Sequence, residues 1–135
     1  MERRELTINR ILKKTIKFRS KNIDFRLIEI GNEMIFIVSG GDYPHIGAVA
    51  VGIPRPSLKI PNQLSSTIST YVFIGHKDDI IANKIAHEIS RKMNKKVVVI
   101  AGIHFHHLSE RDIKLVVKKS EVICRELIEL FQKSK

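Results

Sequence analysis

A chain of 135 residues with one cysteine and no tryptophan is the size of a single domain, long enough to bury a core without disulfides or a structural metal. The lone Cys124 excludes a disulfide framework and a cysteine-based zinc site. No apolar run reaches membrane-span length, and the first ten residues are too charged for a secretory signal, so a soluble, cytoplasmic protein is expected. The formal net charge is +10, and nine Lys or Arg with only three acids fall between Met1 and Arg26. Such a bias suits a nucleic-acid surface, but it equally reflects compositional habit or growth at high temperature. Aromatic residues are sparse and do not alternate with basic ones as a base-stacking platform requires, so only weak, non-specific nucleic-acid binding is expected.

Thr7 to Arg19 mixes Ile8, Ile11, Leu12, Ile16 and Phe18 with basic residues; its second half, Thr15 to Phe18, alternates like a strand, while the first half reads equally as strand or short helix. Ile23, Phe25, Leu27 and Ile30, the turn residues Gly31 and Asn32, and the run Met34 to Ser39 form a β-hairpin. Ile46 to Ile53 is small, apolar and glycine-bearing, a central strand that Pro54 and Pro56 are expected to stop. Pro54 to Ser65 reads as an irregular connection, too long for a hairpin turn. Thr67 to Ile74 is a further strand.

Asp78 is placed to cap a helix carrying Ile81, Ile85, Ile89 and Met93 on one face, ending near Asn94. The unbroken Val97-Val98-Val99-Ile100 reads as a strand buried on both faces, inside the sheet. Ser109 with Asp112 resembles a capping box opening a last helix, whose apolar stripe runs from Ile113 to Phe131 and includes Cys124. The expectation is one α+β domain over residues 1–135, with a mainly antiparallel sheet flanked by two helices. It comprises a basic segment (1–20), a region of site-bearing loops (35–107) and a C-terminal helix (109–133).

Three loops concentrate the chemistry: GGDYPHIG at Gly40 to Gly47, GHKDD at Gly75 to Asp79 and AGIHFHH at Ala101 to His107. Each adjoins a strand end, so they are expected to meet on one rim of the sheet. His45 is presented beside Pro44. His76 and Lys77 precede a helix whose free N–H groups favour anions, and Arg55 adds a forked phosphate contact if the fold brings it near. The simpler account of Asp78 is a helix cap, with Asp79 a favourable first-turn acid. A metal held by His104, His106 and His107 with His45 and His76 is weakly supported, because alternation sends His107 to the other side. Ser57, Ser65, Ser66 or Ser69 with His76 and Asp79 makes a triad on paper without any local motif behind it, and Cys124 reads as a buried small hydrophobe.

Taken together, GGDYPHIGAVAVGIPRPS, GHKDD and VVVIAGIH resemble the small accessory proteins of prenylated-flavin-dependent, UbiD-like decarboxylases, the prenylated flavin chaperone-like group. The resemblance spans Ile35 to the C-terminus. It implies a fold similar to that of proteasome assembly chaperones, a homodimer, a decarboxylase subunit as partner, and no chemistry by the small protein itself. The implied cofactor-binding residues are His45, Arg55, Ser57, His76, Lys77, Asp78 and His104. Asp42, Pro44, Gly47, Pro56, Gly75, Asp79 and Gly102 belong to the same motifs. Prenylated FMN or FMN, bound transiently, is the implied cofactor, with no metal expected. The alternatives are a small His-dependent or metal-assisted hydrolase using His45, His76 and His104, and a basic nucleic-acid-binding module.

Overall fold

The computed structural model describes residues 9–73 and 77–134. Eight elements follow in order: β1 (Ile11–Phe18), β2 (Lys21–Ile30), β3 (Glu33–Gly41), β4 (Ala48–Pro56), β5 (Leu64–Val72), α1 (Asp78–Met93), β6 (Val97–His104) and α2 (Glu110–Lys133). They build a six-stranded sheet of order β1-β2-β3-β6-β4-β5. Among the described residues, only the β3–β6 pair is parallel. The mainly antiparallel α+β fold expected from the sequence is therefore the one observed, and of the half-segment left open between strand and helix, residues 11–14 belong to β1, while Thr7 and Ile8 lie outside the described residues.

One face of the sheet carries both helices. Leu27, Phe36, Val99 and Ala50 stand in one row across β2, β3, β6 and β4, all 0% exposed. α1 covers this row with Ile81, Ile85 and Ile89, and α2 with Ile123, Cys124 and Leu127. Burying each large side chain of the row contributes about 1.5–3 kcal/mol, so this layer is the core. Leu130, expected on the inward stripe, is instead exposed. Burial pushes the Cys124 thiol well above its ordinary range, which leaves it an inert core residue.

The opposite face differs from expectation. Val97 and Val99 are fully buried, whereas Val98 and Ile100 are half-buried, because both helices lie on the side of the odd-numbered residues. Val49, Val51, Ile35 and Ile37 share the uncovered side with them. Among the described residues, no element packs over this face.

Pro54 and Pro56 do not stop β4. The strand pairs with β5 from Ala48↔Val72 to Pro56↔Leu64, and residues 57–63 close an antiparallel hairpin. The Ser57 N–H donates to the Gln63 carbonyl at 2.7 Å, so odd-numbered positions of β4 turn their N–H groups towards β5. Pro54 and Pro56 face the other way, where β6 pairs only as far as Gly52. No ladder bond is forfeited there, which is why proline is tolerated.

Both helix ends read from the sequence are present. Asn94 adopts a left-handed conformation (φ 54°) after α1, and Ser109 Oγ accepts from the Asp112 N–H at 3.1 Å to open α2. The β1–β2 turn is a two-residue turn with both residues left-handed, Arg19 (φ 52°) and Ser20 (φ 58°), the twist-matched geometry usually given to Asn-Gly.

Candidate functional site

The topology delivers three strand ends and two helix starts to a single rim. β3, β5 and β6 end there beside the β1–β2 turn, β4 begins there, and α1 and α2 start above it. To pass from β3 to β4 the chain must cross the end of β6, and residues 42–47 form the crossing. The Asp42 N–H donates to the His104 carbonyl at 2.7 Å and the Gly47 N–H to the Ala101 carbonyl at 2.9 Å. The crossing is close enough to demand glycine beneath it, since a Cβ on Gly102 would stand 1.4 Å from the His45 carbonyl oxygen. Likewise, a Cβ on Gly47 would stand 1.9 Å from Asp78 Oδ2.

Asp78 is the pivot of the rim. It is 2% exposed, and its Oδ1 accepts from the Ile103 N–H at 3.0 Å. Its Oδ2 lies 3.4 Å from His45 Nε2. His45 Nδ1 is 3.1 Å from the Tyr43 carbonyl oxygen, so the ring stands between that carbonyl and the Asp78 carboxyl. A buried carboxylate is tolerated because a backbone N–H and the imidazole replace its water shell. This corrects the simpler expectation that Asp78 is a helix cap. Lys77, left-handed at φ 68°, holds the cap position without a side-chain bond, and Asp78 instead ties the start of α1 to β6 and the crossing loop.

Around this pair stands a group of rings. Tyr43 stacks on His45 at 6.5 Å between centroids, His104 meets His45 edge-on at 6.2 Å, and His106 meets His104 at 5.2 Å. Beside them opens a crevice of about 390 Å³ whose wall is Ile103, Phe105, Leu108 and Ile113, with Lys77, His104 and His107 at its polar margin. The loop after β6 is fastened from two sides. Arg19 donates to the carbonyls of His106 (2.9 Å) and His107 (3.3 Å) and pairs with Asp112 at 2.6 Å. Asp42 Oδ2 accepts from the His106 N–H at 3.0 Å, and that bond holds the Asp42 carboxyl below its ordinary range.

Of the residues singled out from the sequence, the fold brings His45, Lys77, Asp78 and His104 together. His76 and Gly75 lie outside the described residues. Arg55 and Ser57 are not at this rim: Arg55 lies at the opposite end of β4 and Ser57 just past it, about 23 Å and about 30 Å from Ala48 at 3.3 Å per residue. There Arg55 donates to Thr67 Oγ1 and the Pro56 carbonyl, both at 3.0 Å. Ser57 Oγ accepts from the N–H groups of Lys59 and Ile60, shaping the hairpin turn. Tyr43 and the crevice-lining Leu108 and Ile113 were not singled out. Tyr43 lies within a marked motif, but nothing local announces its stacking on His45.

Among the described residues, no group of three His, Cys, Asp or Glu is arranged to hold a metal ion. Of the serines considered, Ser66 bonds not to an acid–base pair at the rim but to His87 Nδ1 at 2.6 Å. It is buried between β5 and α1, where the contact fastens helix to strand.

Residues 17–132 match the family model described as the prenylated flavin chaperone LpdD-like domain. The chain belongs to the LpdD-like prenylated flavin chaperone family. A curated relative, protein LpdD of Lactiplantibacillus plantarum, is 27% identical over 107 residues, covering 76% of this chain and 72% of that protein. A solved structure titled as a novel chaperone complex for yeast 20S proteasome assembly matches with a TM-score of 0.51 and 15% identity, covering 93% of this chain and 97% of that one. That likeness is one of fold. The matched family region contains the whole rim, from the Arg19 clamp to the start of α2. Among the described residues, no helix is long and apolar enough to cross a membrane.

Proposed function

We propose that this protein is a non-catalytic accessory chaperone that holds a prenylated flavin mononucleotide, or FMN, transiently at the His45–His104 rim and passes it to a UbiD-like decarboxylase. The observation that carries the reading is the gathering of Tyr43, His45 and His104 rings beside the crevice that Lys77 borders. A flavin is a flat ring system with a phosphate at one end. Stacking rings and an apolar wall suit the first part, and a mobile ammonium suits the second. Family membership supports the chaperone role. A non-catalytic part agrees with a rim whose carboxylate, Asp78, is engaged in holding the loops.

The test is anaerobic titration of the full chain with FMN and with prenylated FMN, followed by flavin fluorescence. Lys77→Ala and Tyr43→Ala should each weaken binding about tenfold, the scale of a lost charge-assisted bond or ring contact. Arg55→Ala, at the far end of β4, should bind like the natural chain. Absence of binding by the natural chain, or equal binding by the rim variants, would leave the rim without a flavin role.

A further inference from the structure

We infer that the outer edge of β1 is a docking site for an extended segment of another protein, one that alternates acidic and apolar residues and adds itself to the sheet beside β1. The inference stands apart from the flavin reading, because strand addition here needs no ligand at the rim.

β1 is the outermost strand on its side of the sheet, and among the described residues no strand pairs with its far edge. The Glu29 N–H donates to the Arg10 carbonyl at 2.9 Å. By the alternation of an antiparallel ladder, Leu12, Lys14, Ile16 and Phe18 likewise turn their main-chain groups towards β2. The odd positions, Ile11, Lys13, Thr15 and Lys17, therefore aim their N–H and C=O groups outwards along an edge eight residues long. Neither a proline nor a break in the register with β2 spoils that edge.

A strand laid along it would send alternate side chains to the two faces of the sheet. On the helix side lies a hollow of about 270 Å³, lined by Ile16, Val122 and Ile123 and flanked by Lys118 and Lys119. Val122 is 42% exposed there, so apolar side chains fit. On the other side, exposed Lys13 and Lys17 stand either side of Thr15, and Arg26 lies opposite Lys13. Asp24, opposite Thr15, accepts from Thr15 Oγ1 at 2.6 Å. Acidic side chains fit that face. Main-chain bonds supply affinity in strand addition, and pockets for alternate side chains supply specificity.

Lysines on an edge strand ordinarily keep copies of a protein apart. Here the same charges select the occupant: β1 of a second copy would set lysine against lysine, whereas an acidic strand is attracted. β5, the outermost strand on the other side, carries no charged residue. The apolar hollow and the lysines coincide at β1.

The probe is a fluorescein-labelled peptide of alternating glutamate and valine with a central threonine, long enough to span β1. Anisotropy with the full chain should show saturable binding that weakens as salt is raised, and the same peptide with lysine for glutamate should not bind. Methylating alternate backbone nitrogens of the peptide should abolish binding in one phase and spare it in the other, because only one set faces β1. Thr15→Pro removes an outward N–H without costing a bond to β2, and should raise the dissociation constant about tenfold with an unchanged far-ultraviolet dichroism spectrum. Should that variant fail to fold, Val122→Glu, on the surface of α2, should weaken binding by setting a charge beside the hollow. Lys13→Glu with Lys17→Glu should lose the glutamate peptide and gain the lysine one. No binding by the natural chain, equal binding of both peptides, or methylation harmless in both phases overturns the docking site. A fall in the protein's own mass by light scattering on Thr15→Pro would make the occupant a second copy of this chain and overturn the acidic partner.

Discussion

Gly102 and His45 are in backbone contact across the end of β6, with the His45 carbonyl lying where any side chain at 102 would begin. The overlap is with main chain and cannot be relieved by a rotamer change. Gly102→Ala should therefore displace the crossing loop and cost about 3 kcal/mol, at the upper end for overpacking. Urea denaturation would measure the loss, and a cost under about 0.5 kcal/mol would show that the crossing is looser than described.

Asp78→Ala should destabilise the fold by about 1–3 kcal/mol, because the Ile103 N–H would lose its acceptor. Asp78→Asn retains an amide oxygen for that N–H and should recover much of the stability while replacing the carboxylate oxygen that faces His45. The His45 ring protons, followed by NMR, should then respond to both variants. An unchanged environment in Asp78→Asn would mean that the 3.4 Å contact carries no charge interaction.

Arg19→Ala should release the loop after β6 rather than the sheet. The residue is exposed and its ion pair is solvent-screened, so the global cost should be within about 1 kcal/mol. Amide hydrogen exchange in residues 104–109 should nevertheless accelerate, since two carbonyl contacts and the Asp112 pair are lost together. Uniform acceleration across the domain would contradict a local clamp.

Acid sensitivity should trace to a few carboxylates. A side-chain hydrogen bond from Arg10, aided by that residue's backbone N–H and charge, holds Glu29 below its ordinary value of 4.5. The His106 N–H holds Asp42 below 3.8. Burial pushes Glu88 upward, but the Lys92 hydrogen bond and the charges of Lys92, Arg91 and Arg125 prevail, leaving it below its ordinary value. Carboxylates with depressed folded values stabilise the protein above their unfolded values and lose that contribution as pH falls through the folded ones. Urea midpoints should therefore be level near neutrality and fall below about pH 4.5. Glu29→Gln should flatten part of that fall; an unaltered acid limb would remove Glu29 from the account.

Where neighbours in sequence decide the structure, the reading was good. Alternation in Ile23 to Leu27 and Met34 to Val38, the Ser109–Asp112 cap and the stripe Ile81, Ile85, Ile89 all rest on spacings of two to four residues. The departures share a different cause. Asp78 sits where a cap is ordinarily found, but its partner is the N–H of Ile103, which reaches it only once β6 is in place. Pro54 looks like a strand breaker until it is known that β6 stops pairing at Gly52. Arg55 and His45 adjoin the same strand, yet an extended chain carries its two ends to opposite edges of the molecule. Convergence of the Gly40–Gly47 and Ala101–His107 loops was legible because both were placed at strand ends.

The prolines of β4 have one more effect. Past Gly52 the strand's outer edge is uncovered, and such an edge invites a passing chain to add itself by main-chain hydrogen bonds. Pro54 and Pro56 occupy the two positions whose N–H groups would make the offer. An incoming strand finds two acceptors and no donors over that stretch, so the notch that β6 leaves beside β4 is closed to main-chain pairing, although β4 lies inside the sheet.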